Sequence, residues 1–204
     1  MTSIELSGFL VQPMTERISD WSESGKLDED ELDRSLSFDA RAWVDHSIAA
    51  NDWAPLADIE GLVGLIAAQL GGETGLVEWA DEIVAGWLRQ PFFQSLMGSA
   101  QRLVDGPGFV ASRASDQLVR ACDWRYEGGR ESFSLYIGGV AEASPELKSL
   151  IGACLARLAA AASPREIDAR FDGVDGGELV IFGEMKISQD ALSEGRLHRA
   201  ALIS

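Results

Sequence analysis

Apolar residues fall at helical spacing through the first half of this chain and on alternate positions through parts of the second, so the pattern changes habit near the middle. At the start, Ile4, Leu6, Phe9 and Val11 are separated by Glu5, Ser7 and Gln12, which predicts a short sheet-edge strand ended by Pro13. Residues 19–37 surround Trp21, Leu27, Leu32 and Leu36 with Ser, Glu, Asp, Gly and Lys; they read as a mobile, solvated acidic connection holding one short helix. Ala40, Trp43, Val44, Ile48 and Ala49 predict a helix over 39–50 with Asp39 as its cap. Ile59, Leu62, Val63, Leu65, Ile66 and Leu70 predict a deeply buried helix stopped by Gly71-Gly72. Thr74 offers a cap for the next helix, which carries Leu76, Val77, Ala80, Ile83, Val84 and Trp87 and must stop or bend at Pro91. A helix from Pro91 through Phe92, Leu96, Ala100 and Leu103 then closes at Gly106-Pro107-Gly108, which reads as a loop.

The second half predicts a helix near 115–122 and then a β-hairpin, with 123–127 and 132–137 flanking Gly128-Gly129-Arg130. Phe133, Leu135 and Ile137 alternate with Ser132, Ser134 and Tyr136, the pattern of a half-buried strand. Ser144 and Pro145 open a helix through Leu147, Leu150, Ile151, Cys154, Leu155 and Leu158. A second hairpin pairs 166–171 with 178–182 across the turn Asp172–Gly177. The expected fold is therefore α+β: a helical N-terminal half packed on a small antiparallel sheet of two hairpins around a helix, ββαββ, in one domain over 1–185. The helix between the hairpins is expected on one sheet face and the helices of the first half on the other. Residues 186–204 form a tail, with Leu192, Leu197 and 200–203 able to make a helix docked on this body or on a partner.

Composition narrows the function classes. The 33 Asp and Glu against 17 Lys and Arg give a formal charge of −16, a field that repels nucleic-acid phosphates and anionic lipids. A polynucleotide partner is excluded on that ground, whereas a basic protein or a small ligand is not. The longest apolar runs, 62–70 and 151–162, are too short for a bilayer, and the N-terminus lacks a basic start before an apolar run, so no membrane association and a cytoplasmic setting are expected. Cys122 and Cys154 lack zinc spacing and read as two buried thiols.

Catalytic chemistry finds no named actors. His46 and His198 stand alone, outside any metal-binding helix pattern, and His46 reads as a surface or capping residue. The acidic run Asp28–Glu31 with Asp33 lacks the glycine and terminal Glu of a calcium loop, and Asp172-Gly-Val-Asp-Gly-Gly fits a hairpin turn better than a cation site. No nucleophile elbow, phosphate loop or dinucleotide fingerprint is present. What remains is a set of aromatic residues: Trp79, Trp87, Phe92 and Phe93 in the helical half, and Trp124, Tyr126, Phe133 and Tyr136 around the first hairpin. If the two halves face each other, these rings enclose an apolar pocket, with Arg125 and Arg130 nearest to fix an anionic group. Ordinary core packing is the competing reading of the same rings.

Helices followed by strand-strand-helix-strand-strand, with Asp123-Trp-Arg-Tyr-Glu-Gly-Gly129, the helix from Ser144-Pro145, and Glu178-Leu-Val-Ile-Phe182, resemble the haem-nitric-oxide-binding and vinyl-reductase-type ligand-binding superfamily. That resemblance implies a sensor or ligand-binding module with its pocket between the helical half and the sheet. Its haem-binding members use a proximal histidine in the helical half and a Tyr-x-Ser-x-Arg motif. Here no histidine lies between Asp52 and Leu197, and Arg130-Glu-Ser-Phe-Ser-Leu-Tyr136 departs from the motif, so haem is not supported and the cofactor is left unknown. The leading expectation is a non-enzymatic regulatory module binding a small apolar ligand or a protein partner. Its rivals are an adaptor acting as a homodimer or hetero-oligomer, and an enzyme with an unrecognised site.

Overall fold

The computed structural model describes residues 4–100, 103, 106–120, 123–128, 132–162, 167–175 and 178–185. Strand β1 (Glu5–Ser7) runs directly into helix α1 (Gly8–Glu23), followed by α2 (Glu29–Ser35), α3 (Phe38–His46) and strand β2 (Trp53–Pro55). Helices α4 (Leu56–Leu70), α5 (Glu73–Trp87), α6 (Pro91–Ala100) and α7 (Gly106–Leu118) complete the helical part. Then come β3 (Val119–Arg120), the hairpin β4 (Trp124–Gly128) and β5 (Ser132–Ile137), helix α8 (Pro145–Ala161), and the pair β6 (Ile167–Asp175) and β7 (Glu178–Met185). The fold is α+β, and its larger sheet is antiparallel in the order β4-β5-β7-β6, two hairpins around one helix as the pattern predicts.

Burial explains how the parts join. In β5, Phe133, Leu135 and Ile137 are buried while Ser134 and Tyr136 between them are not, so this sheet has one core face. Both α7 and α8 pack against the sheet on that side, and α8 also packs on α4, α5 and α7. Its sequence explains that position: Leu147, Leu150, Ile151, Cys154, Leu155 and Leu158 form one apolar stripe, and the small residues Ser149, Gly152, Ala153, Ala156 and Ala159 let the other sides be buried too. Ser144 caps it, accepting from the Leu147 amide at 3.2 Å, with Pro145 in the first turn. The expectation of helices on both sheet faces is corrected: the face carrying Arg125, Glu127, Ser134, Tyr136 and Phe182 is left half-buried or exposed.

Several local expectations are also corrected. The N-terminal strand is only three residues long, and Phe9, Val11 and Pro13 belong to α1. Ser19–Glu23 complete that helix, and Trp21, Leu27 and Leu32 within 19–37 are buried. Asp28 caps α2, accepting from the Glu31 amide at 2.7 Å, so its carboxylate serves a helix end. Ser37, in place of Asp39, caps α3. Gly71, at φ 86°, ends α4 as expected, but Gly72 precedes α5 without a side-chain cap, and Thr74 lies inside the helix. Gly106-Pro107-Gly108 opens α7, where a first-turn proline costs no hydrogen bond. The second hairpin strand extends to Asp175, with a bulge between Phe171 and Gly173. A second sheet, in the order β2-β1-β3, has strands too short to show any alternation in the sequence. Cys122, Arg130, His198 and the tail lie outside the described residues.

Candidate functional site

Pro13 makes the link between α1 and α5. At the sixth position of α1 it has no amide to give the carbonyl of Phe9, one turn back. That carbonyl instead accepts from Trp87 Nε1 of α5 at 2.8 Å. A backbone acceptor left idle by proline is thereby satisfied by a buried indole, and the two helices are fixed side by side. Phe93 stacks on Trp87 with ring centres 5.3 Å apart, and meets Phe9 and Phe92 edge-on at 5.5 and 5.0 Å.

Above this aromatic floor lies an open groove of about 450 Å³, walled on one side by Phe9, Pro13 and Arg17 of α1 and on the other by Trp79, Ile83, Gly86 and Trp87 of α5. Its rim is polar, with Gln12, Glu16, Asp20, Glu82, Arg89 and Gln90. Arg17 crosses it: the guanidinium lies 5.5 Å from the Trp79 ring and 5.9 Å from that of Trp21, and pairs with Glu82 on the facing helix. The volume falls within the range of small-molecule sites, and most of the surface facing it is polar, with Trp79, Ile83 and Trp87 nearly buried beneath.

Of the residues singled out in the sequence, Trp79 and Trp87 line this groove, and Phe92 and Phe93 form the aromatic cluster behind it. The hairpin residues do not join them. Trp124 donates its indole N–H to Asp116 of α7 at 2.6 Å. Tyr126 stacks near Phe133 at 6.2 Å and covers Gly108, where any Cβ would collide with its ring. Arg125 lies 4.0 Å over Tyr136 on the outer sheet face and pairs with Glu127 and, at 3.6 Å, Glu178. The rings thus divide among a groove, a packed α7–sheet contact and an open sheet face.

The α1 wall escaped the sequence reading, although its signal was present: Phe9, Pro13, Arg17 and Trp21 stand four apart on one helical face. Reading proline as a stop concealed it. Haem, which the family resemblance raises, needs an axial donor, and the groove lining holds no His, Cys, Met or Tyr. His46 is exposed at the end of α3, and Cys154 is buried within α8, where desolvation pushes its thiol well above the usual range. These residues do not fit haem. Among the described residues no group of three or more His, Cys, Asp and Glu is placed to hold a metal, and no helix is long and apolar enough to cross a membrane.

No protein-family model and no curated protein matches the chain. Its fold is similar to that of two solved structures of an Fe(II) unliganded H-NOX protein from K. algicida, one of them a single-residue mutant. Each gives a TM-score of 0.55 over 90% of this chain and 98% of the other, with 11% identity for one and 9% for the mutant.

Proposed function

We propose that this chain is a non-enzymatic regulatory or sensor module, working in the cytoplasm, that binds a small, mostly apolar ligand in the groove between α1 and α5. The observation that carries this reading is the groove itself, of small-molecule size, where Phe9 and the edges of Trp79 and Trp87 offer apolar contact within a mostly polar lining. The likeness to an H-NOX architecture supports a ligand-binding role at the level of fold, and a free, buried Cys154 suits a reducing compartment. The ligand differs from haem, because the lining offers hydrophobic contact and hydrogen bonds and no axial donor.

Gly86 provides the test. It lines the groove in the last turn of α5, and a Cβ there would meet only the Arg89 side chain, at 3.9 Å. Gly86→Leu therefore fills the groove without striking the core, and replacing a helical glycine favours the helix by up to about 1 kcal/mol. Native mass spectrometry of protein purified from its host should show an added mass that disappears on denaturation, and Gly86→Leu should lose that mass while melting no lower. A wild-type protein without any added mass, or a variant that retains it, would refute the groove as the site.

A further inference from the structure

A second cavity, of about 270 Å³, adjoins the three-stranded sheet and shares only Phe9 with the α1–α5 groove. The register explains which side chains reach it. Ser7 stands opposite Trp53, and Glu5 stands opposite both Pro55 and Arg120. Opposed residues share a face and neighbours alternate, so Ser7, Trp53 and Arg120 lie on one side, while Leu6, Ala54 and Val119 point into the core and are buried. Asn51 closes the cavity from the loop before β2, and Gln117 closes it from the last turn of α7. That loop is pinned by the Gly8 amide, which donates to the Asp52 carbonyl at 2.8 Å.

Two polar groups here lack adequate partners. The Ser7 hydroxyl is buried, the residue being 1% exposed, yet it has no hydrogen-bond partner. It stands at the N-cap of α1, where a serine usually accepts from the first turn, and makes no such bond. A buried hydroxyl without a partner calls for one. Arg120 lies over the Trp53 ring at 3.8 Å and reaches Glu5 only at 4.0 Å, so its N–H groups are largely unspent. Asp116, also in the lining, is already engaged by Trp124 at 2.6 Å and Arg113 at 3.7 Å. The groups left to a ligand are mostly donors.

We propose that this cavity binds a small carboxylate. Arg120, held on the Trp53 ring, takes the charge, the Ser7 hydroxyl donates to a carboxylate oxygen, the amides of Asn51 and Gln117 complete the polar contacts, and the short carbon chain lies toward Phe9 and Ala50 of the lining. The test is a titration of the full-length chain with sodium acetate, followed by ¹H–¹⁵N NMR, with sodium chloride at matched ionic strength as the control. Saturable shifts are expected at Ser7, Asn51, the Trp53 indole, Gln117 and Arg120, absent with chloride. Ser7→Ala and Arg120→Gln should each weaken acetate binding at least tenfold. Arg120 is mostly exposed, so R120Q keeps the fold and decides the matter if the Ser7 variant does not fold. Shifts that do not saturate, that chloride reproduces, or that persist unchanged in R120Q overturn the proposal. Gly86→Leu should leave the acetate shifts intact, which separates this site from the groove.

Discussion

Cys154 shows how one residue records its surroundings. It is fully buried in α8, and loss of water raises its thiol; Arg157 lowers it somewhat, and Asp81 adds a smaller upward push. The unfolded chain gives up this proton near the ordinary value of 9.0, whereas the folded protein retains it. Folding therefore gains nothing from this group's titration below that pH. Above it the unfolded state binds fewer protons, so stability falls as pH rises, by about 1.4 kcal/mol per unit. Urea denaturation at pH 8 and pH 10 should show the wild type losing roughly 1.4 kcal/mol more than Cys154→Ala over that interval. Equal losses would mean that the thiol reaches water in the native state.

At the scale of elements, α1 presents the sharpest energetic question, because its proline and the Trp87 indole depend on one carbonyl. Trp87→Phe keeps an aromatic ring against Phe93 but removes the donor, leaving the Phe9 carbonyl unsatisfied, at a cost of about 1–3 kcal/mol. Adding Pro13→Ala supplies a helical amide to the same carbonyl, so the double variant should recover much of that loss. Chemical denaturation of the four proteins gives the coupling; strictly additive costs would show that the carbonyl is satisfied in some other way. Legibility follows from the same kind of reasoning. The elements that could be read had redundant signals, as in α8 with Ser144, Pro145 and its apolar run, or α4 with Gly71 at its end. The β4–β5 hairpin combined alternation with a glycine turn. The elements that misled had one strong residue whose usual meaning was overruled by a distant partner. Pro13 reads as a stop until Trp87 is seen donating to the Phe9 carbonyl, 78 positions from Phe9 in the sequence. Half of the candidate site was legible as aromatic spacing on α5 and α6. The other half required knowing that α1 continues through its proline, and the second cavity required the pairing of three strands of two or three residues each.

For the whole molecule, the decisive fact is that architecture and donor chemistry part company. A sheet with one face buried under α7 and α8, and a core continuous from Ile4 to Ile181, can be kept by any sequence that preserves the burial pattern, which is how 9–11% identity coexists with a shared fold. A haem iron makes a narrower demand: an axial donor at one place, on a helix facing the cofactor. The described histidine and cysteine are an exposed His46 and a buried, protonated Cys154, and the groove lining holds no His, Cys, Met or Tyr but presents Trp79, Trp87, Ile83 and an arginine already paired with Glu82. Adding haemin to the purified full-length chain should therefore give only the broad absorbance of unligated or loosely adsorbed porphyrin, unchanged in position by dithionite and carbon monoxide. A sharp Soret band at one equivalent, shifting on reduction and again with carbon monoxide, would mean that a donor such as His198 completes a haem site. The apolar-ligand reading of the groove would then give way to a gas-sensing one, and a His198→Ala variant that lost the band would identify the ligand responsible.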